Sequence, residues 1–134
     1  MDNYGNFKTL EIIFRFNNGS NIAERTHVLE AMAFNGCSGL TGDLNIPDGV
    51  TEIGFRAFED CKGFDGQLHL PNGLKEIGYE AFSGCSGLTG DLNIPDGVTT
   101  IDSQAFWRCS GFNGQLHLPS GFRENKNMVV FCGL

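Results

Sequence analysis

The stretch GCSGLTGDLNIPDGVT stands at residues 36–51 and again, letter for letter, at 84–99. Read outward from either copy, the chain keeps a step of 24 residues. Pro47, Pro71, Pro95 and Pro119 form one column, and Cys37, Cys61, Cys85 and Cys109 a second. The pairs Ala33-Phe34, Ala57-Phe58, Ala81-Phe82 and Ala105-Phe106 keep the same phase, as do Gly42, Gly66, Gly90 and Gly114. Leu44, Leu68, Leu92 and Leu116 are followed two residues on by Ile46, Leu70, Ile94 and Leu118. This many columns in one phase mark a repeat solenoid, in which each coil buries its apolar face only against its neighbours.

Within one coil, L-x-[IL] has period two and suits a short strand with both apolar side chains inward. Proline cannot donate to a continuing ladder and ends the strand. Asp48-Gly49, Asn72-Gly73 and Asp96-Gly97 supply turn chemistry. Val50 with Ile53, Leu74 with Ile77 and Val98 with Ile101 return to the core. The Ala-Phe pair is expected in a short helical or 3₁₀ turn, before a Gly-rich segment leads to the next strand.

Residues 1–134 read as one domain of about five coils. Residues 1–36 form a degenerate first coil, with Phe7–Ile12 as its strand approach and an insertion around Asn17-Asn18-Gly19-Ser20. Regular coils run over 37–119, and 120–134 form a C-terminal cap or a broken coil.

Composition narrows the function classes. The 19 glycines agree with many tight turns, and 12 phenylalanines dominate the aromatics. A net charge of −7 argues against nucleic acid and anionic membrane surfaces as ligands, and leaves a basic protein open. No apolar run approaches the roughly 20 residues of a membrane span. The start MDNYGNFKTLEIIFRF alternates and carries Lys8, Glu11 and Arg15, so it does not read as a signal peptide. As given, the chain reads as cytoplasmic or as part of a longer product.

The strings IPDGVTEIGFRAFEDC, LPNGLKEIGYEAFSGC and IPDGVTTIDSQAFWRC resemble the BspA-type leucine-rich repeat of bacterial and some protist surface proteins, over about residues 27–122. The resemblance implies a right-handed solenoid with a short parallel β-sheet on its concave face. It also implies protein–protein recognition, often adhesion, with no catalysis and no cofactor.

The middle residue of L-x-[IL] points outward on that face. The column reads Glu11, Asn45, His69, Asn93 and His117, beside Asp43, Gln67, Asp91 and Gln115. These polar rows are the expected protein-binding surface. A second candidate row on the convex side holds Phe55 and Tyr79, with Trp107 one turn later. His69 and His117 lie two coils apart, roughly 10 Å, too far to share one metal ion comfortably. Asp43–Gly49 lacks calcium-loop spacing, because Pro47 stands where a ligand should be. The in-phase cysteines suit a buried core column, and Cys132 lies out of phase. No nucleophile elbow, phosphate loop or paired-carboxylate arrangement is present, so no metal, cofactor or enzyme activity is expected.

Coils alternate between GDLNIP and GQLHLP, so the copied unit is 48 residues, or two coils. Packing accounts for its apolar letters. Asp43, Asn45, Asp91 and Asn93 are left to recent duplication or to a ligand with a two-coil repeat. The leading expectation is a non-catalytic protein-binding module, monomeric or weakly self-associating through its end coils. The alternatives are a small acidic inhibitor of a basic enzyme and a structural piece of a surface adhesin. An acidic inhibitor would lose its partner steeply as salt rises.

Overall fold

A computed structural model describes residues 28–120, and there the repeat becomes eight short strands, all paired in parallel. The returning Ile column builds one sheet: β1 (Val28–Leu29), β3 (Glu52–Ile53), β5 (Glu76–Ile77) and β7 (Thr100–Ile101), in that order. Leu29, Ile53, Ile77 and Ile101 point into the core from it. The L-x-[IL] segments build β2 (Gly42–Asn45), β4 (Phe64–His69), β6 (Leu92–Asn93) and β8 (Leu116–His117). Their inner residues Leu44, Ile46, Leu68, Leu92 and Ile94 are buried, whereas Leu118 in the last described coil is 39% exposed. The Val50, Leu74 and Val98 amides each donate to the carbonyl of the proline three residues back, closing the expected turn. The residues assigned by sequence to the first coil up to 27, and those of the tail from 121, lie outside the described residues.

Between the two strand lines runs a phenylalanine ladder. Phe34, Phe58, Phe82 and Phe106 stack face to face, with centroid separations of 5.3, 5.4 and 5.2 Å. Phe112 closes the ladder edge-on against Phe106 at 6.5 Å. The cysteine column lies beside it. Cys61, Cys85 and Cys109 are buried, and their thiols donate to the carbonyls of Phe34, Phe58 and Phe82 in the preceding coil, at 2.9–3.0 Å. The fourth member, Cys37, is half-buried, and Cys132 lies outside the described residues. The neighbouring Cys61 sulfur and burial hold the Cys85 thiol well above its ordinary pKa, so it remains a neutral packing group.

The Ala-Phe segment corrects one expectation: it is a chain of turns, with no helix among the described residues. Its amides alternate in direction. The Ala33 and Asn35 amides donate within the coil, to the Glu30 and Met32 carbonyls. The Met32, Phe34 and Gly36 amides donate to the Phe55, Ala57 and Glu59 carbonyls of the next coil. A helix would turn every amide along its own axis, whereas here every second one is taken by the neighbour. The alternation needs left-handed residues. Met32, Arg56, Glu80 and Gln104 supply one set at φ 53–60°, and Gly36, Asp60, Gly84 and Arg108 a second at φ 59–77°.

The L-x-[IL] strands form two separate pairs, β2 with β4 and β6 with β8. Two reciprocal side-chain bonds clasp each pair. In the first, Asp43 Oδ1 accepts from the Gln67 amide at 2.8 Å, and Asp65 Oδ1 accepts from the Gly42 amide at 3.0 Å. In the second, Asp91 Oδ1 accepts from the Gln115 amide at 2.8 Å, and Asn113 Oδ1 from the Gly90 amide at 2.9 Å. Between the pairs Thr89 takes the place of Asp65 in its column, and its amide and hydroxyl both donate to the Gly66 carbonyl. The 48-residue period of the sequence is therefore also a structural period: a GDLN coil is clasped to the GQLH coil that follows it.

Candidate functional site

The outward rows of the L-x-[IL] strands lie where the pattern puts them. Asn45 is level with His69, and Asn93 with His117. His69, Asn93 and His117 are exposed and Asn45 half-buried. Asp43, Gln67, Asp91 and Gln115 are exposed beside them. Two of these have a task that sequence reading missed: one carboxylate oxygen of Asp43 and of Asp91 is held in the clasps. The second oxygen of Asp43 lies 3.6 Å from His69 Nε2, an ion pair only when the ring is protonated. Each clasp lies just before the Asn45–His69 or Asn93–His117 pair, and just after it the Ile46 or Ile94 amide donates to the His69 or His117 carbonyl. Glu11, the first member of the column, lies outside the described residues.

The candidates on the other side do not form one patch. Phe55 is 42% exposed and stacks on Tyr79 at 5.7 Å. Trp107 belongs to a different column, is half-buried, and has the Arg108 guanidinium 6.0 Å from its ring. Behind Phe55 runs a polar network that the repeat pattern did not disclose. Arg56 lies over the Phe55 ring at 4.8 Å and donates to Glu80 Oε1 at 3.1 Å. Its Nε lies 3.7 Å from Glu59, which accepts from the Asn35 amide group at 2.8 Å. The Tyr79 hydroxyl donates to Gln104 at 3.4 Å. Burial pushes the Glu80 carboxyl upward, but the hydrogen bond from Arg56, the nearby Tyr79 hydroxyl and the Arg56 charge outweigh it and hold the group below its ordinary pKa. Glu80 sits in a column filled elsewhere by Met32, Arg56 and Gln104, so only its three-dimensional neighbours mark it as an ion-pair partner.

Among the described residues no three of His, Cys, Asp and Glu converge so as to hold a metal ion. No helix there is long and apolar enough to cross a membrane. What the surface offers is regularly spaced hydrogen-bonding groups.

Comparison with known proteins agrees with this geometry. The BspA type leucine rich repeat region matches residues 27–131 in six copies. A leucine-rich repeat protein of T. pallidum, known from a crystal structure, is 26% identical with a TM-score of 0.60. The similarity covers 80% of this chain and 63% of that one. A leucine-rich repeat protein from Bacteroides ovatus is 28% identical with a TM-score of 0.53, covering 79% of this chain and 32% of the other. The chain thus spans less than two thirds of the length of either protein. No curated protein matches. With the family model covering most of its length and the parallel-stranded coils matching solved repeat proteins, the chain belongs to the BspA-type leucine-rich repeat family.

Proposed function

We propose that this protein is a non-catalytic module that binds a protein partner through the outward face of its L-x-[IL] strands. The observation that carries the reading is the division of labour within the copied stretch. Asp43 and Asp91 hold the coils together, while among the described residues the side chains of Asn45, Asn93 and His117 make no hydrogen bond or ion pair, that of His69 faces only the second oxygen of Asp43, and the four stand level in two pairs. Preorganised side chains lose little entropy on binding, which favours recognition by a surface of this kind. Membership of a repeat family whose members are generally interaction modules supports the same reading.

The test is a paired capture. One bait is the wild-type chain, and the other carries Asn45, His69, Asn93 and His117 replaced by Lys. Four outward replacements leave the core unchanged, so both baits should fold cooperatively, the variant melting slightly lower because Asn45 with His69 and Asn93 with His117 become level lysine pairs. The expected result is a partner retained by the wild type and lost, at least tenfold, from the variant. Equal retention by both would remove the strand face from the account.

A further inference from the structure

On the other strand line, a groove of about 240 Å³ crosses three coils of the β3–β5–β7 sheet. Gly54 and Gly78 line it together with Phe55 and Tyr79. Neither glycine has room for a side chain. A Cβ on Gly54 would come within 2.7 Å of the Leu29 carbonyl oxygen, and one on Gly78 within 2.9 Å of that of Ile53. The stacking of the coils therefore requires glycine at both positions.

The charge of this groove is one-sided. Glu52 and Glu76 are level with each other on adjacent strands, and Asp102 lines the groove in the coil beyond. Like charges directly opposite one another in a sheet are destabilising. Among the described residues no cation forms an ion pair with Glu52, Glu76 or Asp102. Arg56, the nearest arginine in sequence to the groove wall, is committed to Glu80 and to the Phe55 ring. Phe55 meanwhile is one of three large apolar side chains left exposed among the described residues. An exposed aromatic edge and a carboxylate row with no ion-pair partner among the described residues occur together here, on a chain of net charge −7.

We infer that this groove docks an extended segment of a basic protein partner, with arginine or lysine side chains over Glu52, Glu76 and Asp102 and an apolar side chain against the Phe55 edge. The inference is independent of the strand-face reading, because it uses the opposite strand line and shares no residue with it. Binding neutralises a repulsion built into the free protein, so the gain comes from relief of an existing cost as well as from new attraction.

The experiment uses the full chain and a fluorescent extended peptide that alternates arginine with threonine, followed by anisotropy. Three proteins are compared: wild type, E52Q/E76Q, and D48N/D96N, which removes the same charge from exposed turn positions. The expected result is binding to wild type that weakens about tenfold in E52Q/E76Q and less than about twofold in D48N/D96N. E52Q/E76Q should also melt at or above the wild-type temperature, since the repelling pair is gone. Amide shifts of the wild type on peptide addition should centre on Gly54, Gly78 and Thr100. Equal weakening in both variants would reduce the effect to bulk charge and overturn the inference. So would shifts centred elsewhere, or no binding by the wild type.

Discussion

Phe82→Ala is expected to cost about 3–5 kcal/mol. Phe82 is fully buried at the centre of the ladder, with Phe58 on one side at 5.4 Å and Phe106 on the other at 5.2 Å. Truncation removes the apolar area of the ring and leaves a cavity whose walls are two rings held by their own coils. The backbone cannot close that gap, because the Phe82 amide is bonded to the Ala105 carbonyl and the Phe82 carbonyl takes the Cys109 thiol. In a solenoid the coils are coupled only to their neighbours, so a central lesion separates the stack into two parts with too little core each. Urea unfolding checks this, through a lower midpoint for F82A. Phe55→Ala is the control, because Phe55 also stacks on a ring in the next coil but is 42% exposed. Its loss should be no more than about 1 kcal/mol, roughly the worth of the ring pair itself. Similar losses from the two would mean that stacking rather than burial holds the ladder.

Gly87→Ala is expected to be nearly as damaging, at about 3 kcal/mol, although it adds only one methyl group. A Cβ at this position collides with the carbonyl oxygen of Phe64 and lies 3.3 Å from that of Lys62. Both are backbone atoms of the preceding coil, so no side chain can rotate away and the coils themselves must part. Gly63 and Gly111 meet the same obstacle one coil earlier and later. Gly73→Ala provides the contrast. Nothing lies within 4 Å of its Cβ and its φ is not left-handed, so the change should be neutral or stabilising by up to about 1 kcal/mol. Thermal melts of the two variants should therefore move apart, with G87A well below G73A.

The coil was legible in the sequence because its determinants are local and repeated. Leu44 with Ile46, the Pro-Asp-Gly turn, and the Phe and Cys columns each state their burial in their own spacing, and these residues lie where that spacing places them. The Ala-Phe turn was misread because a helical turn and a run of left-handed turns share the same apolar offsets. The difference lies in where alternate amides donate, and the recipient is 23 residues away. The same limit applies to Asp43. As a letter on an outward strand position it reads as surface. Its role appears only when the Gln67 amide of the next coil comes within 2.8 Å. Gly66 carried the hint, since a Cβ there would strike the Asp43 carboxylate. The Glu52–Glu76 row is not legible in the sequence for the same reason, because the two glutamates stand 24 residues apart and become level only when β3 pairs with β5.

Asp43 and Asp91 clasp the coils and, under the proposed function, leave the Asn–His rows for recognition. Native-state amide hydrogen exchange of the wild type and of D43A/D91A measures the clasps themselves. Slow exchange is expected at the Gln67 and Gln115 amides of the wild type. In the variant those two amides should exchange fast, with the Phe58 and Phe82 amides of the core ladder still protected. Fast exchange at Gln67 and Gln115 in the wild type, or protection that survives loss of both aspartates, would contradict this role of the two aspartates.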